Sequence, residues 1–160
     1  MKQASTIFLK VVLFTMAGAV LAFCIFAIPS ISKGVGIEWP DLAHLKYPIL
    51  IGGYLTAIPF FFALYQAFKL LGYIDKNTAF STNSVKALRH IKYCGITMSI
   101  LYAAGMPIIF QVADADDAPG LVIFGMFFVA APIVVSVFAA VLQKLLQNVI
   151  DIKSENDLTV

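Results

Sequence analysis

A chain of 160 residues that is 61% hydrophobic and only 12% charged, with a mean hydropathy of +0.91, is too apolar for a soluble domain, where about 45–50% apolar and about 25% charged residues are usual. A formal net charge of +2 is too small to indicate a nucleic-acid binder, and no direct nucleic-acid contact is expected. The composition describes an integral membrane protein, expected to be all-α and to form one four-transmembrane-helix bundle over residues 1–160 with the lipid bilayer as its first partner.

Four apolar stretches are each long enough to cross a hydrocarbon core of roughly 30 Å, which takes about 20 helical residues. They run approximately Ile7–Ile28, Tyr47–Leu71, Arg89–Val112 and Gly120–Leu146. The first begins like a secretory signal, with a short basic region before the apolar one. Its apolar run is longer than the 7–15 residues of a typical signal core and no clean small-residue cleavage site follows it, which argues for a retained span. Lys10, about one turn inside, is expected to snorkel to the headgroups. Pro29 is expected to end this helix, leaving an outer loop Ser30–Lys46 in which Trp39 and Tyr47 sit at the membrane boundary. His44 with Glu38 and Asp41 is too irregular a set to define a metal site.

Placing the N-terminus in the cytoplasm puts nine of the eleven Lys and Arg residues inside (positions 2, 10, 69, 76, 86, 89, 92, 144 and 153) and only Lys33 and Lys46 outside. This is the positive-inside pattern, and it predicts a multi-pass protein of the cell membrane with both termini cytoplasmic. Cys24 and Cys94 then fall near opposite membrane faces, too far apart for a disulfide, and read as small buried hydrophobes.

Pro59, Pro107 and Pro132 lie inside the second, third and fourth spans, where each removes one backbone hydrogen bond and favours a bend. Three such helices suggest a bundle bent around a lateral groove, but the stronger expectation is ordinary membrane-helix proline, whose freed carbonyls are re-satisfied by neighbouring helices and Ser or Thr side chains. Gly95, Ser99 and Ala103, spaced by four, align small side chains on one face and form a helix-packing seam for a helix of this chain or of a second copy. The turn ADADDAP exposes Asp114, Asp116 and Asp117, and a solvated turn fits better than a divalent-ion site, which needs more ligands in fixed geometry. No ionisable group stands near the middle of a span, as an ion-coupled transporter would require. His44 and His90 fall on opposite sides, and neither cysteine has an adjacent base. No enzyme activity, cofactor or metal is expected.

The most patterned stretch is the inner loop, LGYIDKNTAFSTNSVKALRHI. Ser81 is placed to cap a helix, with Phe80 and Val85 positioned as a hydrophobic staple and Ser84 where a capping box would carry Glu or Gln. Beyond it Val85, Leu88 and Ile91 recur at helical spacing while Lys86, Arg89 and His90 take another face, giving a short amphipathic cytoplasmic helix that leads into the third span.

The four-helix layout, the pattern YIDKNTAFSTNSVKALRHI and the ending Glu155, Asn156, Asp157, Leu158, Thr159, Val160 together resemble the bacterial membrane proteins of domain of unknown function 2975. The resemblance covers nearly the whole chain. It supports the fold and the membrane location and carries no mechanism, since such families have no established activity. Their association with small helix-turn-helix regulators implies a signalling or regulatory role.

The expected contact surface for a partner or for lipid is therefore Phe80, Ser81, Lys86, Leu88 and Arg89 with Glu155 to Thr159 of the tail, Asp157 and Glu155 lying against Lys86 or Arg89. The partner would be a cytoplasmic protein such as a small helix-turn-helix regulator, or a second copy of the chain. The alternatives are a small transporter or apolar-ligand-binding protein, and an immunity protein against a membrane-active peptide.

Overall fold

The structure, a computed structural model, describes residues 2–158. It is helical almost throughout: α1 (Lys2–Ala22), a π-helical turn (Phe23–Ala27), α2 (Ile28–Glu38), a 3₁₀ segment (Pro40–Leu45), α3 (Lys46–Asp75), α4 (Thr82–Ala115) and α5 (Gly120–Leu158). Four segments are long and apolar enough to cross a membrane: Ala4–Glu38, Pro40–Asp75, Thr82–Ala115 and Gly120–Leu158, of 34 to 39 residues. At 1.5 Å per residue these are about 51–58 Å long, so each reaches beyond a hydrocarbon layer of roughly 30 Å.

Pro29 does not end the first helix. The chain widens into a π turn just before it, in which the Ile28 amide bonds to the Phe23 carbonyl five residues back. A wider turn gives the proline ring room where it would otherwise press on the carbonyl four residues earlier. The Ser30 hydroxyl donates to the Phe26 carbonyl at 2.7 Å, supplying a bond near the place where Pro29 has no N–H to give. Most of the expected outer loop is thus helix α2 and the 3₁₀ segment. The two fold back on each other, with Gly36 against Ala43 and the fully buried Ser32 donating to the Lys46 carbonyl at 2.8 Å.

The helices stand in a row and do not close into a ring. The α1–α2 segment packs on α3, α3 on α4, and α4 on α5, while among the described residues α5 packs to any substantial extent only on α4. Water drives apolar helices together, but lipid is itself apolar, so close approach and interhelical hydrogen bonds decide which faces meet. The close approaches fall at glycines. A side chain at Gly53 would collide with Ile28, at Gly95 with Ser136 and the Pro132 carbonyl, and at Gly125 with Met106. The large apolar side chains that remain exposed, including Phe14, Ile58, Ile100, Phe127 and Phe138, are the lipid-facing surface that such a row requires.

Candidate functional site

Three turns, all reversing the chain between neighbouring spans, bring both described ends of the chain to the same end of the row. The turn at that end is built locally. Asn77 takes a left-handed conformation with φ 58°, the Thr78 amide bonds to the Tyr73 carbonyl at 2.8 Å and the Asn77 amide to the Ile74 carbonyl at 3.1 Å. This is a Schellman ending, which satisfies the last carbonyls of α3. The opposite turn repeats it with Asp117 at φ 50° and the Ala118 amide on the Ala113 carbonyl at 2.9 Å.

Ser81 then starts α4 as its spacing predicts. Its backbone is extended and its hydroxyl accepts from the Ser84 amide at 3.4 Å. Ser84 is fully buried, with its hydroxyl 3.5 Å from that of Ser81, so a small polar residue and not a long acid fills the capping-box position. Val85 is buried while Phe80 stays 63% exposed, so the expected staple is not a buried contact. Within α4, Val85, Ala87 and Leu88 are buried and Lys86, Arg89 and His90 are exposed. This stretch is the first part of one continuous helix that includes the third span.

The Gly95–Ser99 seam meets α5 of the same chain. Ser99 donates to the Val129 carbonyl at 2.9 Å, and Ser136 returns a bond to the Lys92 carbonyl at 2.9 Å. Ala103, one turn further on, is exposed and lies outside the seam.

These contacts fix the register of the α4–α5 pair and correct the expected meeting of tail and loop. Lys92 is level with Ser136 and Ser99 with Val129, so Ser81 is level with about residue 147. Residues 151–158 of α5 therefore lie about 6 to 16 Å past the start of α4. Asp157 lies about 20 Å along the axis from the level of Lys86, beyond the reach of either side chain. Glu155, Asn156, Asp157 and Leu158 are all exposed, and Thr159 lies outside the described residues.

One ion pair was missed in the sequence. Lys10 Nζ does not turn to the headgroups but donates to Asp75 Oδ2 at 2.7 Å, 65 positions away and at the last residue of α3. The ammonium also stands 5.5 Å from the centre of the Phe68 ring, which packs edge-on against Phe14 at 5.3 Å. The buried Thr6 faces the same carboxylate. Nothing local marks Asp75, since an acid at a helix end looks like any loop charge. The available signal was Lys10 itself, a cation one turn inside a span, which requires a partner.

Cys24 and Cys94 are both buried and free. Among the described residues no three His, Cys, Asp or Glu side chains gather as metal ligands. Between α4 and α5 runs an open groove of about 320 Å³, lined by Lys92, Ser99, Ser136 and aliphatic side chains such as Ile96 and Ile133. It runs along the outside of a helix pair and is not an enclosed passage, and none of Pro59, Pro107 and Pro132 lines it.

No solved structure matches the chain. The chain is 56% identical over 160 residues, the whole of both chains, to a protein described as uncharacterized membrane protein YoaS of Bacillus subtilis (strain 168). The model of the family described as protein of unknown function (DUF2975) matches residues 36–160. With that match over most of its length and a full-length relative of this identity, the chain belongs to the DUF2975 family of membrane proteins.

Proposed function

We propose that this protein is a non-catalytic interaction module of the bacterial cell membrane, with both termini in the cytoplasm, that docks a cytoplasmic protein on the projecting end of α5 and the α3–α4 turn. The charge distribution supports the orientation: among the described residues, Lys33 and Lys46 are the only Lys or Arg at the end of the row away from the termini, the positive-inside pattern. The observation that carries the docking surface is the overhang of α5. Its residues 151–158 are helical and all exposed, and a two-turn helix gains little stability in water from its own hydrogen bonds. Leu145, Val149 and Ile152, each 43% exposed or more, follow one another at helical spacing and form an apolar stripe that leads out along the projection. Exposed apolar stripes of this kind serve docking of another helix or groove. The exposed Phe80 and Lys86 stand at the same end, on the neighbouring helix pair.

Co-purification of the full-length chain from native membranes tests this reading. A cytoplasmic protein should be recovered with the wild-type chain, should be lost when Val149 and Ile152 are changed to Ser, and should weaken when Lys86 is changed to Glu. Recovery that is indifferent to all three changes overturns it. The small-transporter reading is not favoured, because the α4–α5 groove is open along its side and its lining is largely aliphatic.

A further inference from the structure

The groove between α4 and α5 has a polarity of its own. On α4, Lys92, Ile96, Ser99 and Ile100 line it, and on α5 Ile133, Ser136, Val137 and Ala140. Following each helix toward the end that carries the termini, the same flanks turn basic. Arg89 precedes Lys92 by three residues and Ile96 by seven, so it stands on the same side of α4. Lys144 follows Ala140 by four and Val137 by seven, so it continues the α5 flank. The register sets the three cations over about 12 Å of the groove's length, with Lys92 deepest, level with Ser136, and Lys144 outermost.

That depth is the physical problem the site presents. Lys92 is half-buried two helical turns inside Lys144, between helix flanks that apart from Ser136 are aliphatic there, where an ammonium group is costly unless it is partnered. Its one cation–π contact is with the neighbouring Tyr93 ring, at 4.8 Å. Among the described residues, the ion pair is that of Lys10 with Asp75, and no carboxylate lies within ion-pair distance of Arg89, Lys92 or Lys144. The nearest acid on the α5 flank, Asp151, stands two turns beyond Lys144 and accepts from Gln147 Nε2 at 3.0 Å. An aliphatic groove that opens into three unpaired cations complements one class of molecule, an amphiphile with an anionic head.

We propose that this groove holds an anionic glycerophospholipid of the leaflet on the terminus side, its phosphate among Arg89, Lys92 and Lys144 and one acyl chain along Ile96, Ile133 and Val137. Lys92 reaches the phosphate by extending toward the headgroup layer. The lipid also seals the open side of the α4–α5 pair, which among the described residues is the one substantial packing that α5 makes, and so stabilises it. The site is independent of the docking surface proposed above, which uses the projecting end of α5.

The test is thermal unfolding of the full-length chain in an uncharged detergent with phosphatidylglycerol or phosphatidylcholine added. Phosphatidylglycerol should raise the midpoint by about 4–8 °C more than phosphatidylcholine, as expected when a ligand at a large excess over its Kd binds only the folded state. The combined change of Arg89, Lys92 and Lys144 to Gln should abolish that difference, while changing Lys33 and Lys46 to Gln should leave it intact. Ile96→Trp, which fills the groove from a lipid-exposed position, should abolish it too, and decides the matter should the triple variant not fold. Equal shifts from the two lipids, retention of the phosphatidylglycerol shift in Ile96→Trp, or reproduction of the shift by glycerol 3-phosphate alone would each overturn the proposal, the last by showing a site for free anions.

Discussion

Gly95 is the residue on which the α4–α5 pair turns. A Cβ there would meet the Ser136 hydroxyl and come 2.7 Å from the Pro132 carbonyl, and a backbone atom cannot swing aside as a flexible side chain can. Gly95→Ala should therefore cost about 1–3 kcal/mol, the range for overpacking a close contact. Ser99→Ala or Ser136→Ala removes one interhelical hydrogen bond, worth about 0.6 kcal/mol on average in a membrane. Thermal or denaturant unfolding in detergent should rank the glycine first, and a larger loss from either serine would show that hydrogen bonding, not close approach, holds the pair. At the start of α4, Ser81→Ala should cost about 1 kcal/mol through the lost cap. Asn77→Val should cost about 1–2 kcal/mol, because a β-branched residue resists the left-handed conformation, and Asn77→Gly should cost nothing. Ser81 was readable in the sequence because capping depends on a residue type at a fixed offset. Asn77 and Asp117 were not, since asparagine and aspartate adopt left-handed endings only at some positions and the neighbouring backbone decides which.

At the scale of elements, the ion pair between Lys10 on α1 and Asp75 on α3 ties the first helix to the α3–α4 turn. Both side chains are 27% exposed, at the boundary where neither water nor lipid solvates a lone charge well. Lys10→Met or Asp75→Asn alone should therefore destabilise the protein more than the two together, because each single change strands the other charge. A double-mutant cycle read by thermal unfolding measures this coupling. Additive effects would mean that the pair makes no energetic connection between the helices. The same scale shows where reading from sequence failed. Pro29 looks like a helix end, but the chain widens into a π turn before it, and a proline alone does not show whether the helix stops or widens to pass it. The seam was legible at Gly95 and Ser99, whose spacing reports a helical face directly. It was not legible at Ala103, because spacing alone does not show how far along a face two helices stay in contact.

For the molecule as a whole, the number of spans was legible because each is an unbroken apolar run, and a membrane imposes its thickness on length. The arrangement of those spans was not. Hydropathy makes no distinction between a closed bundle and a row, as both bury their apolar surface against something equally apolar. The pairing of α2 with α3 and of α4 with α5 is set by close approach at Gly53, Gly95 and Gly125, and the register of the α4–α5 pair carries the tail past the basic start of α4. The charge pairing expected between Asp157 and Arg89 fails for that reason, and the surface presented at the terminus side becomes a projecting helix beside a capped turn. The central claim is that this projection docks a cytoplasmic protein. A photo-crosslinking amino acid at Ile152, irradiated in intact cells, tests it most directly against the same label at Ile37, which is equally free of packing at the other end of the row (78% exposed). The label at Ile152 should yield a protein adduct of one defined mass that is absent at Ile37 and disappears on Val149→Ser. Lipid adducts alone at Ile152, or the same protein adducts at both positions, would contradict the claim.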